Sequence, residues 1–237
     1  MNKTALSWFG ERGQFFVKNF SAERQRWIRK GGIFMNKVIT ISRQYGSGGH
    51  VVGKKLAEAF DVPFYDNEII NMAAKESGFA VKAFEHAEDK ATNSFLYSIA
   101  MGMGAYSNQD FGYASLSIDD RIFLAQSNII RKVAEEGPCV IVGRCADYVL
   151  KEREDVVNIF ISASLDYRMK RVVEDYNVPQ EKAGETILRQ DKRRANYYNF
   201  HANEKWGNVM NYDLSIRTDF GGIDHAVKCI KTYLEVS

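Results

Sequence analysis

At 237 residues and 45% hydrophobic content, the chain suits one large domain or two small ones with a real core. A net charge of +2 excludes polyanion binding by bulk charge, so any preference for an anionic ligand must come from local clusters. The three cysteines, Cys139, Cys145 and Cys229, have neither disulfide-framework number nor zinc-ligand spacing and fit a reducing, cytoplasmic compartment as buried small residues; no stretch approaches the ~20 apolar residues of a membrane span.

Residues 1–34 differ from the rest of the chain. Trp8, Phe15, Phe16, Phe20 and Trp27 lie among charges with no clean strand or helix period, and there is no continuous apolar run for a secretory signal. The codons for Arg29-Lys30-Gly31-Gly32 can form a purine-rich tract just before an ATG at Met35. That pattern resembles a bacterial ribosome-binding site. The expectation is a natural start at Met35, with residues 1–34 a translated leader; a genuine amphipathic extension is the alternative.

The stretch Val38–Phe60 carries the most information. Val38–Ile41 is predicted as a buried strand and Gly49–Phe60 as a helix, with a glycine-rich turn between them. Val52, Leu56, Ala59 and Phe60 recur at helical spacing and are assigned to the core; Lys54, Lys55 and Glu58 fall on the opposite, solvated face. Glycines 46, 48 and 49 let backbone N–H groups approach an anion, and the helix N-terminus adds partial positive charge. Gly46, Ser47, Gly48, Gly49 and His50 therefore form a candidate phosphate loop, with a plain strand-to-helix turn as the alternative. The loop departs from the pattern G-x-x-x-x-G-K-[ST]. If Gly48 is its second glycine, Arg43 stands at the first and Gly49 replaces the lysine. Val51 stands where loops of the form G-x-x-x-x-G-K-G-T have threonine.

Val62–Asp66 is predicted as a short second strand and Ile69–Ser77 as a helix. Residues 80–117, rich in Ala, Met, Ser and Gly, read as a helical insertion with a mobile link. Asp119–Glu136 is an amphipathic helix stopped by Gly137-Pro138. Cys139–Val142 suits a central parallel strand, with Gly143-Arg144 at its carboxyl end, where open α/β sheets bind ligands. Val156–Ile161 and Tyr212–Arg217 are further strands; Leu165–Tyr176, Gln180–Asn199 and Ile223–Leu234 are helices. Strands alternating with helices imply an α/β, doubly wound, mostly parallel sheet in one domain.

Residues 38–236 resemble the cytidylate kinase-like family, a branch of the P-loop nucleoside monophosphate kinases. The resemblance rests on Ile41-Ser-Arg-Gln-Tyr-Gly-Ser-Gly-Gly49, Tyr65-Asp66, Val142-Gly-Arg-Cys-Ala-Asp147, Asp191-Lys-Arg-Arg194 with Tyr197-Tyr198, Trp206-Gly207 and Tyr212-Asp-Leu-Ser-Ile-Arg-Thr218. Ordinary cytidylate kinases keep the loop lysine, so the chain looks like a divergent branch without it. The resemblance implies a P-loop NTPase-like fold over 35–237, with 67–118 as the monophosphate-binding insert and 180–207 as a lid. It implies ATP and Mg²⁺ as cofactors and small-molecule nucleotides as partners, with CMP or dCMP as the favoured acceptor.

Phosphoryl transfer is mostly positioning and charge cancellation, so several cations must converge. Arg43 would reach the phosphates and partly replace the lysine, or else pair with a nearby carboxylate. Family likeness puts Arg144 and Arg168 on the substrate phosphate, and Asp66 near the monophosphate pocket unless it caps the following helix. Arg189, Lys192, Arg193 and Arg194 resemble lid cations, and Asp191 would orient one of them. Arg189 and Arg193 are one i,i+4 step apart and share a helix face. Tyr197, Tyr198, Phe200 and Trp206 are expected to pack this segment rather than stack a base. Ser47 is displaced from the usual Mg²⁺ ligand position and Val51 cannot ligate, which leaves the metal ligands unknown. His50 reads as a helix-start residue; His86, His201 and His225 receive no role. Beside the kinase stand two other readings: a nucleotide-binding regulator without turnover, and RNA binding through 189–206, which near-neutral charge makes unlikely. Nothing in the sequence speaks to oligomeric state.

Overall fold

The structure, a computed structural model, describes residues 36–84 and 117–236. The leader expected over 1–34, and nearly all of the insertion expected over 80–117, lie outside the described residues. The described elements belong to one compact unit that begins at Asn36.

The centre is a strand, β1 (Val38–Arg43), whose first five residues are buried. A strand covered on both faces reads as a continuous apolar run, and Val-Ile-Thr-Ile-Ser fits because Thr40 satisfies its hydroxyl on Asn158 Oδ1 at 2.6 Å. It pairs in parallel on one side with β3 (Val140–Val142) and on the other with β4 (Val156–Ser162). The edges are β2 (Phe64–Tyr65), paired with β3, and β5 (Leu214–Arg217), paired with β4. The order is β2-β3-β1-β4-β5, all parallel. From β1 the chain turns toward β2, and from β4 toward β5. The connections leaving these two adjacent strands therefore run in opposite directions, as at the switch point where doubly wound sheets bind ligands.

The helices follow local signals. Gly48, at φ 85°, turns the chain into α1 (Gly49–Phe60), whose stripe Val52, Leu56 and Phe60 is buried, while Ala59, expected in that stripe, is exposed and Ala57 is buried in its place. The helix α2 (Glu68–Ser77) ends on left-handed Gly78. The long α3 (Ile118–Glu136) begins at Ser117, whose hydroxyl accepts from Asp120 N. Their apolar faces, with Ile69, Ala73, Ile122, Ile129, Ile130 and Val133, form the main core cluster. A four-residue helix α4 (Ala146–Val149), which periodicity over so short a run does not reveal, follows β3. Then come α5 (Leu165–Tyr176), α6 (Ala183–Ala202) and the closing α7 (Gly222–Val236). The second strand is shorter than the sequence suggests, two residues at an edge rather than five, because only Phe64 and Tyr65 find ladder partners on β3. The segment expected as a lid includes one continuous helix, α6, whose far end is anchored: Tyr197, Tyr198 and Ala202 pack with Cys145.

Candidate active site

The turn after β1 holds the loop. Gly46 and Gly48 have φ of 79° and 85°, which an L side chain rarely adopts. No side chain caps α1, so its first N–H groups remain presented by the backbone. Ser47 does not face outward. Its hydroxyl is buried and donates to Gln44 O at 2.8 Å and Ile161 O at 3.1 Å, so it serves the turn rather than a metal. Thr218, at the end of β5, donates to Ser47 O at 2.6 Å and fixes the loop from the far side.

Beside the loop, at the carboxyl end of the sheet, opens a cavity of about 290 Å³. Among the described residues its lining includes Arg43, Arg144, Arg193 and Arg194, together with Asp66. The four arginines come from three places: the end of β1, the turn after β3, and α6, which carries both Arg193 and Arg194. Arg43 ends β1; its guanidinium lies against Gly143 and stands 3.6 Å from Asp66 Oδ1. Burial lowers its pKa, and Asp66 opposes the shift. Arg144 follows β3 and reaches Asn67 Oδ1 at 3.5 Å; burial lowers its pKa, with Arg43 adding to the effect. Arg194 comes from α6, donates to Arg43 O at 3.0 Å and sits 5.4 Å over the Tyr45 ring. Burial first, then the charge of Arg43, pull its pKa down to about 9. Positive groups so arranged repel one another in a poorly solvated space, and an entering polyanion would relieve them.

Backbone strain helps to aim Arg144. Gly143, Arg144 and Cys145 take φ of 76°, 59° and 54° in succession. Left-handed backbone is disfavoured for the two non-glycine residues, by about 1 kcal/mol each. Such strain persists where surrounding packing enforces it and clusters at functional sites.

The remaining predicted residues divide. Asp66 is not the helix cap, a position held by Asn67. Its carboxylate instead meets Arg43 on one oxygen and His50 Nδ1 on the other, at 2.7 Å. His50 is thus part of the site's periphery through Asp66. Asp191 orients no arginine of its own helix. It accepts from Tyr45 N at 2.6 Å and from Arg168 Nη1 at 2.5 Å. Arg168, 7% exposed, also donates to Ala163 O and Tyr45 O and sits beneath the loop, outside the cavity lining. Arg189 is exposed on α6 and lies outside that lining too. Arg171 folds over the loop, with Nη1 3.4 Å from Gly46 O and the rest of its fork on Asp175.

Some residues that sequence reasoning missed also line the cavity: Asn67, Cys145 and Gln190. A signal for Gln190 existed. Positions 190, 193, 194 and 197 follow the i, i+3, i+4, i+7 stripe of one helix face. Behind the wall, burial pushes the Asp147 carboxyl up to about 6 despite a hydrogen bond from Tyr198. Tyr197, Tyr198 and Trp206 line the cavity as well as packing: Tyr197 donates to Gln126 Oε1 at 3.1 Å, and Trp206 meets Phe160 edge-on at 5.4 Å.

The profile of the cytidylate kinase-like family matches residues 38–219. The chain belongs to the cytidylate kinase-like family. Among solved structures, an uncharacterised protein from Eubacterium ventriosum is 30% identical, covers 85% of this chain and 99% of its own, and superposes with a TM-score of 0.63. A shikimate kinase from Bacteroides thetaiotaomicron is 13% identical, covering 84% of this chain and 98% of its own at a TM-score of 0.48. A gluconokinase from Sinorhizobium meliloti is 12% identical, covering 85% of this chain and 99% of its own at a TM-score of 0.41. The two kinases are too distant to bear on the substrate of this family member. No curated protein matches the chain. Among the described residues, this member of the cytidylate kinase-like family has no helix long and apolar enough to cross a membrane, and no cluster of three or more His, Cys, Asp or Glu suited to a metal ion.

Proposed function

We propose that the chain transfers the terminal phosphoryl group of ATP to a nucleoside monophosphate, with CMP or dCMP the favoured acceptor, in a reducing, cytoplasmic setting. The observation that carries this reading is the convergence of four guanidinium groups on one cavity beside a glycine-rich helix start. Phosphoryl transfer asks for little more than such a constellation, because the transition state is stabilised by positioned positive charge. The N-terminus of α1 would receive the donor phosphates. Arg144 would hold the acceptor phosphate, with Arg43 and Arg194 between the two. Guanidinium forks suit phosphate oxygens bidentately. No general base is needed, since a monophosphate oxygen is already nucleophilic at neutral pH. The loop side chains do not fit a directly bound Mg²⁺, because the Ser47 hydroxyl is spent on main-chain carbonyls and Val51 is apolar. The metal would be held by nucleotide oxygens and water.

The same inward-turned Ser47 favours a second reading, a nucleotide-binding regulator without turnover. One assay separates them: coupled ADP release by the full chain with ATP, Mg²⁺ and CMP, dCMP, UMP, AMP or GMP. The kinase reading expects turnover with one monophosphate, lost by about 100-fold or more in Arg43→Ala and Arg144→Ala. Absence of turnover on every acceptor, with ATP still raising the melting temperature, would replace it with the regulator.

A further inference from the structure

The loop glycines are not equivalent. Gly46 and Gly48 are demanded by backbone φ. Gly49 is not: it begins α1 and is absent from the left-handed residues. Helical backbone accepts any L side chain, so its lack of one needs a different cause. A Cβ on Gly49 would fall 2.5 Å from Arg43 Cβ and 2.9 Å from Arg43 Cγ. The first of these is anchored to β1, so no rotamer of Arg43 relieves the overlap. Any side chain at 49 is therefore excluded while position 43 carries one. In the ordinary pattern the arrangement is inverted: position 43 is a glycine and position 49 the lysine.

We infer that Arg43 and Gly49 are one coupled exchange, in which the loop's cation has moved from the helix start to the end of β1. The two departures from the ordinary loop are thus sterically linked. The consequence is directional. A lysine at 49 would rise from the start of α1 toward the donor phosphates. Arg43 instead spans Gly143 and enters the cavity beside Arg144 and Arg194, with Asp66 as its counterion when no ligand is bound. Its charge is delivered to the boundary between donor and acceptor. Gly143 belongs to the same design: its bare Cα, at φ 76°, gives the guanidinium passage, and a Cβ there would overlap Arg43 Nη1. This inference rests on the phosphoryl-transfer reading for its chemistry, though not for its sterics.

The test is a four-member cycle on the full chain: wild type, Gly49→Lys, Arg43→Gly and the double variant, each measured for melting temperature and for affinity toward a non-hydrolysable ATP analogue. Gly49→Lys is expected to lose roughly 5 °C or more, since overpacking has no side-chain escape. Arg43→Gly should fold but bind the analogue about tenfold or more weakly. The double variant should melt with Arg43→Gly and recover binding to within about threefold of wild type. If Gly49→Lys does not fold, Gly49→Ala poses the same question with one methyl group: destabilising beside Arg43, tolerated in the R43G background. A Gly49→Lys protein as stable as wild type, or a double variant no more stable than Gly49→Lys, overturns the exchange. Restored stability without restored binding overturns the relocation of the cation. A wild type that binds no ATP analogue sinks the phosphoryl-transfer reading instead, while the melting temperatures still decide the steric coupling.

Discussion

Arg144 shows what a single residue contributes when backbone and side chain pull apart. Its left-handed φ opposes stability, whereas its guanidinium faces the cavity. Arg144→Gly should therefore raise thermal stability by a few degrees, because glycine accepts that backbone at about 1 kcal/mol less cost. The same variant should lose monophosphate binding by at least tenfold, read by calorimetry against CMP. Arg144→Ala, which keeps the strain, should lose binding without the gain in stability. The place of Arg144 at the cavity was legible in the sequence, since an arginine just past a buried apolar strand has few structural uses. Its strained backbone was not, because left-handed conformations of non-glycine residues leave little trace in residue type. Asp66 marks the other limit. A carboxylate at the tip of a short strand suits a helix cap and a ligand contact equally, and the sequence does not show that His50 and Arg43 reach it from α1 and β1.

At the scale of elements, the strand, glycine turn and helix at 38–60 were readable because burial, φ and amphipathic spacing agree over one continuous stretch. The roles of α5 and α6 were not, because their basic residues divide between cavity and scaffold according to how the two helices pack. Arg168 and Asp191 illustrate this: 23 positions apart, they form a nearly buried pair that holds the Tyr45 amide. Removing one partner of such a pair leaves the other charge unpaired in a poorly solvated place. Asp191→Ala is expected to cost about 3 kcal/mol, seen as a lower denaturant midpoint. Exposed Arg189→Ala, on the same helix, should stay within about 0.5 kcal/mol of wild type. Equal losses in both would mean that the pair does not clamp the loop.

Across the whole molecule, two buried groups set opposing dependences on pH. Burial holds the Asp147 carboxyl at about 6, above its usual range. It takes up a proton more readily folded than unfolded, so its contribution to stability falls as pH rises from about 4 to 6. Burial also lowers His201, stacked on Phe123 at 4.0 Å, to about 4. Its neutral form is favoured in the fold, so its contribution rises over about 4 to 6.5. The two nearly cancel, and the wild type should show little change in melting temperature across this interval from these groups. His201→Phe keeps the stack and removes one side of the balance. It should melt at progressively lower temperature relative to wild type as pH rises from 4 to 6.5, measured by calorimetry in matched buffers.

The guanidinium-lined cavity carries a practical corollary. A site that gathers four arginines draws small anions in general. Sulfate, citrate or inorganic phosphate carried through purification will settle there and compete with any nucleotide offered later. Apparent affinities will thus record the history of the sample as well as its chemistry, and protein prepared throughout in chloride and an amine buffer is the fair starting point for a screen of acceptors.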